Sequence, residues 1–161
     1  MAVLLAFHAR RVYMEKHSCL NLVSYSSYLE YDSEFAAIIA AAVLVHAALG
    51  CGYQQGLYQE ALELEFKAVS LPYERDKMFS LLYRDQPLRP YCRADFICYG
   101  AIVVQVLAQA AYSGREESQV LSLLRGFGLR QALLLNFGTA QLQYKQLAQQ
   151  QALTQKKPCN T

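Results

Sequence analysis

The chain has 161 residues, 54% of them hydrophobic and only 17% charged. An average soluble domain carries roughly 25% charged residues, so this is neither a disordered, highly charged tail nor a strongly basic nucleic-acid binder. Fifteen Lys and Arg against thirteen Asp and Glu leave a net charge of +2.

The length suits one domain with a real core. Little charge beside twelve tyrosines, seven phenylalanines and no tryptophan implies a surface partly covered by a partner. The five cysteines, Cys19, Cys51, Cys92, Cys98 and Cys159, form no CxxC pair. They read as buried free thiols in a reducing compartment rather than zinc ligands.

Residues 1–33 read as an N-terminal extension. Arg10, Arg11, Lys16, His8 and His17 precede the acidic cluster at Glu30 and Asp32. That acid-poor start has the character of an organellar presequence. The expected location is intracellular and reducing, cytoplasmic or organellar, mitochondria included. A first helix is expected from Glu34 to Leu49, stopped by Gly50 and Gly52. Its apolar run from Phe35 to Leu49 spans roughly 22 Å at ~1.5 Å per residue, short of a ~30 Å hydrocarbon core. It reads as a buried helix, with His46 as a core or helix-end residue. A second helix is expected from Gly56 to Val69, with Tyr58, Ala61, Leu62, Glu65 and Val69 on one face.

After Pro72 come three β-like runs, Met78 to Tyr83, Tyr91 to Tyr99 and Ala101 to Ala108. Asp85-Gln86-Pro87 and Gly100 separate them. The third run is almost wholly apolar and fits a strand covered on both faces. A third helix from Arg115 to Phe127 and a fourth strand from Gln131 to Phe137 follow. The glutamine-rich tail, 139–161, reads as partly helical on Ala140, Tyr144, Leu147 and Ala148. The order gives an α+β (α/β) fold, a small mixed sheet of about four strands flanked by helices. The core domain is 34–138.

From about Ile38 to Leu142 an ordered set of segments resembles the GxxExxY family of the PD-(D/E)XK nuclease-like superfamily. Val45-His46 and Leu49-Gly50 resemble its first helix and loop. Gly52 to Tyr58 lies where its name-giving motif falls, followed by Glu60-Ala61-Leu62. Pro72-Tyr73-Glu74-Arg75, Arg93-Ala94-Asp95, Ile102 to Ala108 and Leu133 to Gly138 resemble the later segments in order. The resemblance implies a restriction-endonuclease-like core and metal-dependent phosphodiester cleavage. A hard divalent cation there needs several carboxylate oxygens, activates water and offsets charge on the phosphate.

The resemblance places five site positions at Gln55, Asp95, Gln105, Leu107 and Gln119. Where the family carries Glu, Asp, Glu, Lys and Gln, this chain keeps only Asp95 and Gln119. From Phe96 to Ser113 there is no Asp, Glu, Lys or Arg at all, nor from Phe35 to Gln59. The site reads as vestigial, with no catalytic residue, no metal and no cofactor expected. Nuclease activity is expected to be lost, leaving a structural or binding subunit of a larger assembly. Asp95 has a competing structural reading, capping a turn or pairing with Arg93 or Arg75. Other protein subunits are the expected partners, without a membrane span, and Arg10, Arg11, Lys145, Lys156 and Lys157 are candidate contacts. The alternatives are nucleic-acid binding without cleavage, and a nuclease with a rearranged site that recruits Glu60 or Glu116.

Overall fold

The computed structural model describes residues 33–111 and 113–149. Helices α1 (Ser33–Leu49) and α2 (Gln55–Ala68) lead into strands β1 (Tyr73–Tyr83), β2 (Gln86–Cys98) and β3 (Ile102–Leu107). Helix α3 (Gly114–Phe127) then precedes β4 (Gln131–Asn136) and β5 (Gln143–Ala148). The strands form one five-stranded sheet in sequence order. All neighbours are antiparallel except β3 and β4, which run parallel with α3 as their crossover.

Two apolar layers sandwich the sheet. On one face Ile38, Ile39, Val45, Leu62 and Phe66 of α1 and α2 meet Phe96, Ile102, Val104, Val106, Leu133 and Leu135. On the other, Val120, Leu123 and Leu124 of α3 meet Val103, Leu107, Ala132 and Leu134. The alternation of side chains along a strand sends Val103 and Val104 to opposite layers. This is why β3 is apolar at nearly every position. Burial pushes the Cys98 thiol up to about 12, so it is an inert core residue; of the other thiols expected to be buried, Cys51 is exposed and Cys92 half-buried.

Three expectations need correction. The sheet has five strands rather than about four, because the segment read as helical is β5. Tyr144 and Leu147, three apart, suit a helix face. In the strand they point to opposite layers, Tyr144 packing on the α1–α2 core and Leu147 on the α3 core. The first strand also begins at Tyr73 rather than Met78. Its charged opening, Glu74 to Lys77, hides that start. Thirdly, Ser33 is already helical, so α1 begins one residue earlier than expected.

The β1–β2 hairpin is long, and β2 pairs with β3 only from Phe96 to Cys98. Its turn places Arg84 and Asp85 at φ 49° and 61°, the left-handed pair that matches strand twist. Phe79 packs edge-on to Phe127 of α3, 4.7 Å between centroids. Gly126 provides the room, since a Cβ there would sit 1.9 Å from the Phe79 ring. Beyond that contact, Met78, Leu81, Leu82, Tyr83, Leu88 and Tyr91 are all exposed.

Candidate functional site

The loop between α1 and α2 is built by one tyrosine. Gly50 and Gly52 take φ of 69° and 110°, a region closed to most side chains. The buried Tyr58 hydroxyl donates to Gly50 O at 2.9 Å and accepts from Tyr53 N–H at 3.2 Å. Its ring stacks on Phe137, 4.7 Å between centroids. This anchorage sets the start of α2, so Gln55 opens the helix beside β2.

The far end of the sheet is pinned by Asn136. Its Oδ1 accepts from Gln109 N–H and Gly138 N–H, and its Nδ2 donates to Gln109 O and Gln143 Oε1. His46 Nε2 lies 2.9 Å from Thr139 O, tying α1 to the β4–β5 connection. His46 is thus a helix-end residue with a structural bond, as expected. His8 and His17 lie outside the described residues.

Asp95 is 2% exposed. It sits where the β1–β2 ladder skips a pair: Arg75 meets Phe96 and Lys77 meets Ala94, while Asp76 between them takes φ of 53°. Strand β2 changes face here. Ala94 packs in the α3 layer and Phe96 in the α1–α2 layer, although a regular strand would keep them on one side. Asp95 Oδ2 accepts the Val106 N–H at 2.8 Å and the Gln55 amide at 3.4 Å. Burial pushes its carboxyl above the usual range; the Val106 N–H and the nearby Gln59 amide pull the other way. The expected pairing with Arg93 or Arg75 is not formed. Arg93 binds Asp76 at 3.4 Å, and Arg75 binds Glu60 at 2.7 Å as well as Glu63.

Among the described residues three buried polar side-chain atoms make no hydrogen bond: Asp95 Oδ1, Gln59 Nε2 and Gln105 Oε1. Gln59 belongs to this set and sequence reasoning missed it. It follows the apparent motif rather than standing in it, and its only sequence signal is its place one turn after Gln55.

Gln105, Leu107 and Gln119 line a cleft of about 470 Å³ between α3 and the sheet, together with Arg93, Arg115 and Glu116. The five positions therefore fall into two groups, Gln55 with Asp95 and the other three around this cleft. Lys145 is engaged with Glu117 at 2.8 Å. Arg10, Arg11, Lys156 and Lys157 lie outside the described residues.

This donor set does not suit a divalent cation. Among the described residues no three His, Cys, Asp or Glu side chains gather as ligands. Asp95 already spends one oxygen on a backbone N–H, and its neighbours are amides. Glu60 is held by Arg75, and Glu116 closes the capping box of α3 through Ser113. Magnesium prefers carboxylates plus retained waters, and one buried carboxylate supplies too little.

With its mixed sheet, helices on both faces and crossover through α3, the chain has a restriction-endonuclease-like fold. The sequence profile described as the PD-(D/E)XK nuclease superfamily matches residues 32–147, and the chain belongs to that superfamily. Among solved structures it is similar to the crystal structure of SSO0001, with 16% identity and a TM-score of 0.48. The match covers 76% of this chain and 61% of that one. No curated protein matches it. No helix among the described residues is long and apolar enough to cross a membrane.

Proposed function

We infer that this is a nuclease-fold protein of GxxExxY type that has lost metal-dependent cleavage and works as a binding or structural subunit of a larger assembly. One observation carries the reading. Asp95, the sole carboxylate of the five positions, is engaged by Val106 N–H and surrounded by the amides of Gln55 and Gln59. Gln105 and Leu107 offer neither a second charged ligand nor a cation to hold a phosphate. The exposed apolar residues of the β1–β2 hairpin support a protein-binding role.

The test is incubation with single- and double-stranded DNA and RNA in Mg²⁺ or Mn²⁺. No cleavage above background is expected, and none from Asp95→Ala. Robust cleavage abolished by Asp95→Ala overturns the reading. Restoring Gln55→Glu, Gln105→Glu and Leu107→Lys together serves as the positive control for the fold's capacity.

A second reading, nucleic-acid binding without cleavage, is favoured by Arg93 and Arg115, which line the cleft. Phosphate recognition by them requires binding that weakens steeply with salt. Affinity indifferent to salt removes this reading.

A further inference from the structure

Helix α2 carries an apolar seam that the described residues leave largely open, Ala61 alone packing partly on the α1–α2 core. Its buried side holds Tyr58, Gln59, Leu62 and Phe66. About 140° away round the helix, at ~100° per residue, lie Leu57, Ala61, Leu64 and Ala68. Leu57 is 52% exposed and Leu64 65%; Ala68 is exposed and Ala61 half-buried. Their spacing alternates four and three residues, the pattern of a helix that packs along a second helix. Large and small residues alternate along it.

We propose that this seam is a two-fold, antiparallel interface between two copies of the chain. In that alignment Leu57 faces Ala68 of the second copy and Ala61 faces Leu64 of the second copy. Every layer then sets a large side chain against a small one, which lets the helices approach closely. The pattern is self-complementary, as a two-fold contact requires. Charge selects the same orientation. Glu60 and Lys67 flank the seam on one side, 63% and 58% exposed, and within the chain Glu60 also bonds Arg75 and Lys67 bonds Glu63. Antiparallel packing brings Glu60 to Lys67 of the second copy at both ends. Parallel packing would bring Glu60 to Glu65 of the second copy and stack leucine on leucine. The loss of charge along the helix face, against a charged flank, thus fits a second copy better than an unrelated apolar partner.

A helix of this length gives a small patch, below the roughly 800 Å² per partner of a standard stable interface. The dimer is therefore reversible and depends on concentration. The seam faces away from Gln55 and Asp95, so the interface stands whether or not the chain cleaves nucleic acid.

Sedimentation velocity on the full chain over about 1–100 μM tests it, a range that brackets micromolar dissociation constants. The wild type should pass from monomer to dimer. Leu64→Glu should remain monomeric throughout, with an unchanged circular dichroism spectrum. Glu60→Lys should weaken association about tenfold or more, by meeting Lys67 of the second copy. Adding Lys67→Glu should restore it. A wild type that stays monomeric, a dimer that survives Leu64→Glu, or a charge swap without rescue overturns the proposal.

Discussion

At the scale of single residues, Asp95 is the most informative side chain. A buried carboxylate without a cation costs stability in its charged form, and its pKa is raised mainly by burial. The sign follows: its contribution to stability is full below the unfolded value of 3.8 and is lost as pH rises through the elevated native value. Asp95→Asn keeps an oxygen in the Oδ2 position for both the Val106 N–H and the Gln55 amide, and removes the charge. It should stabilise the protein at pH 7 by about 1 kcal/mol, and the gain should shrink as pH falls towards 4. Asp95→Ala strands the Val106 N–H and should cost about 1–3 kcal/mol. Urea unfolding at several pH values measures both. A destabilised Asp95→Asn would mean that the charge has a partner. The sequence could mark Asp95 as the retained acid of a family pattern. Its real partner was hidden there, because a Val106 N–H has no side-chain signature and is reached only through the fold.

Among the elements, the junction of α2 and β1 is held by charge. Glu63 accepts from Arg75, Tyr73 and Lys67, and Arg75 also grips Glu60. The hydrogen bond from Lys67, followed by those from Tyr73 and Arg75, lowers the Glu63 pKa to about 2. The stability it lends is present above the unfolded value of 4.5 and is lost as pH falls through about 2. Glu63→Gln should therefore reduce stability at pH 7 and leave it nearly equal to wild type near pH 2. Equal loss at both ends of a thermal-melt series across pH would assign Glu63 a packing role instead. These charged residues also explain why the start of β1 was illegible. Glu74 to Lys77 look like a loop, and they are strand because Arg75 reaches α2 while the backbone pairs with β2. The Tyr144–Leu147 spacing misled in the opposite sense, since an edge strand that caps two cores need not alternate.

For the whole molecule, the central strands were legible because burial on both faces leaves little but Val, Leu and Ile at β3 and β4. The same double burial accounts for part of the low charge, and the hairpin and α2 seam for exposed apolar surface. The parallel β3–β4 pair has a kinetic consequence. The hairpins β1–β2 and β4–β5 join neighbouring segments, but Ile102 meets Gln131 only after the intervening chain, α3 included, has looped back. Closing that loop costs entropy before any contact repays it. Folding should therefore wait on the β3–α3–β4 unit, while β5 adds afterwards. Stopped-flow chevrons on variants of the central strand β4 and the edge strand β5 would show it. Leu133→Ala should chiefly slow refolding, and Tyr144→Ala should chiefly hasten unfolding. Reversal of that pattern would place the slow step in the edge strands. On this account the crossover that closes the sheet also sets the clock for the whole chain.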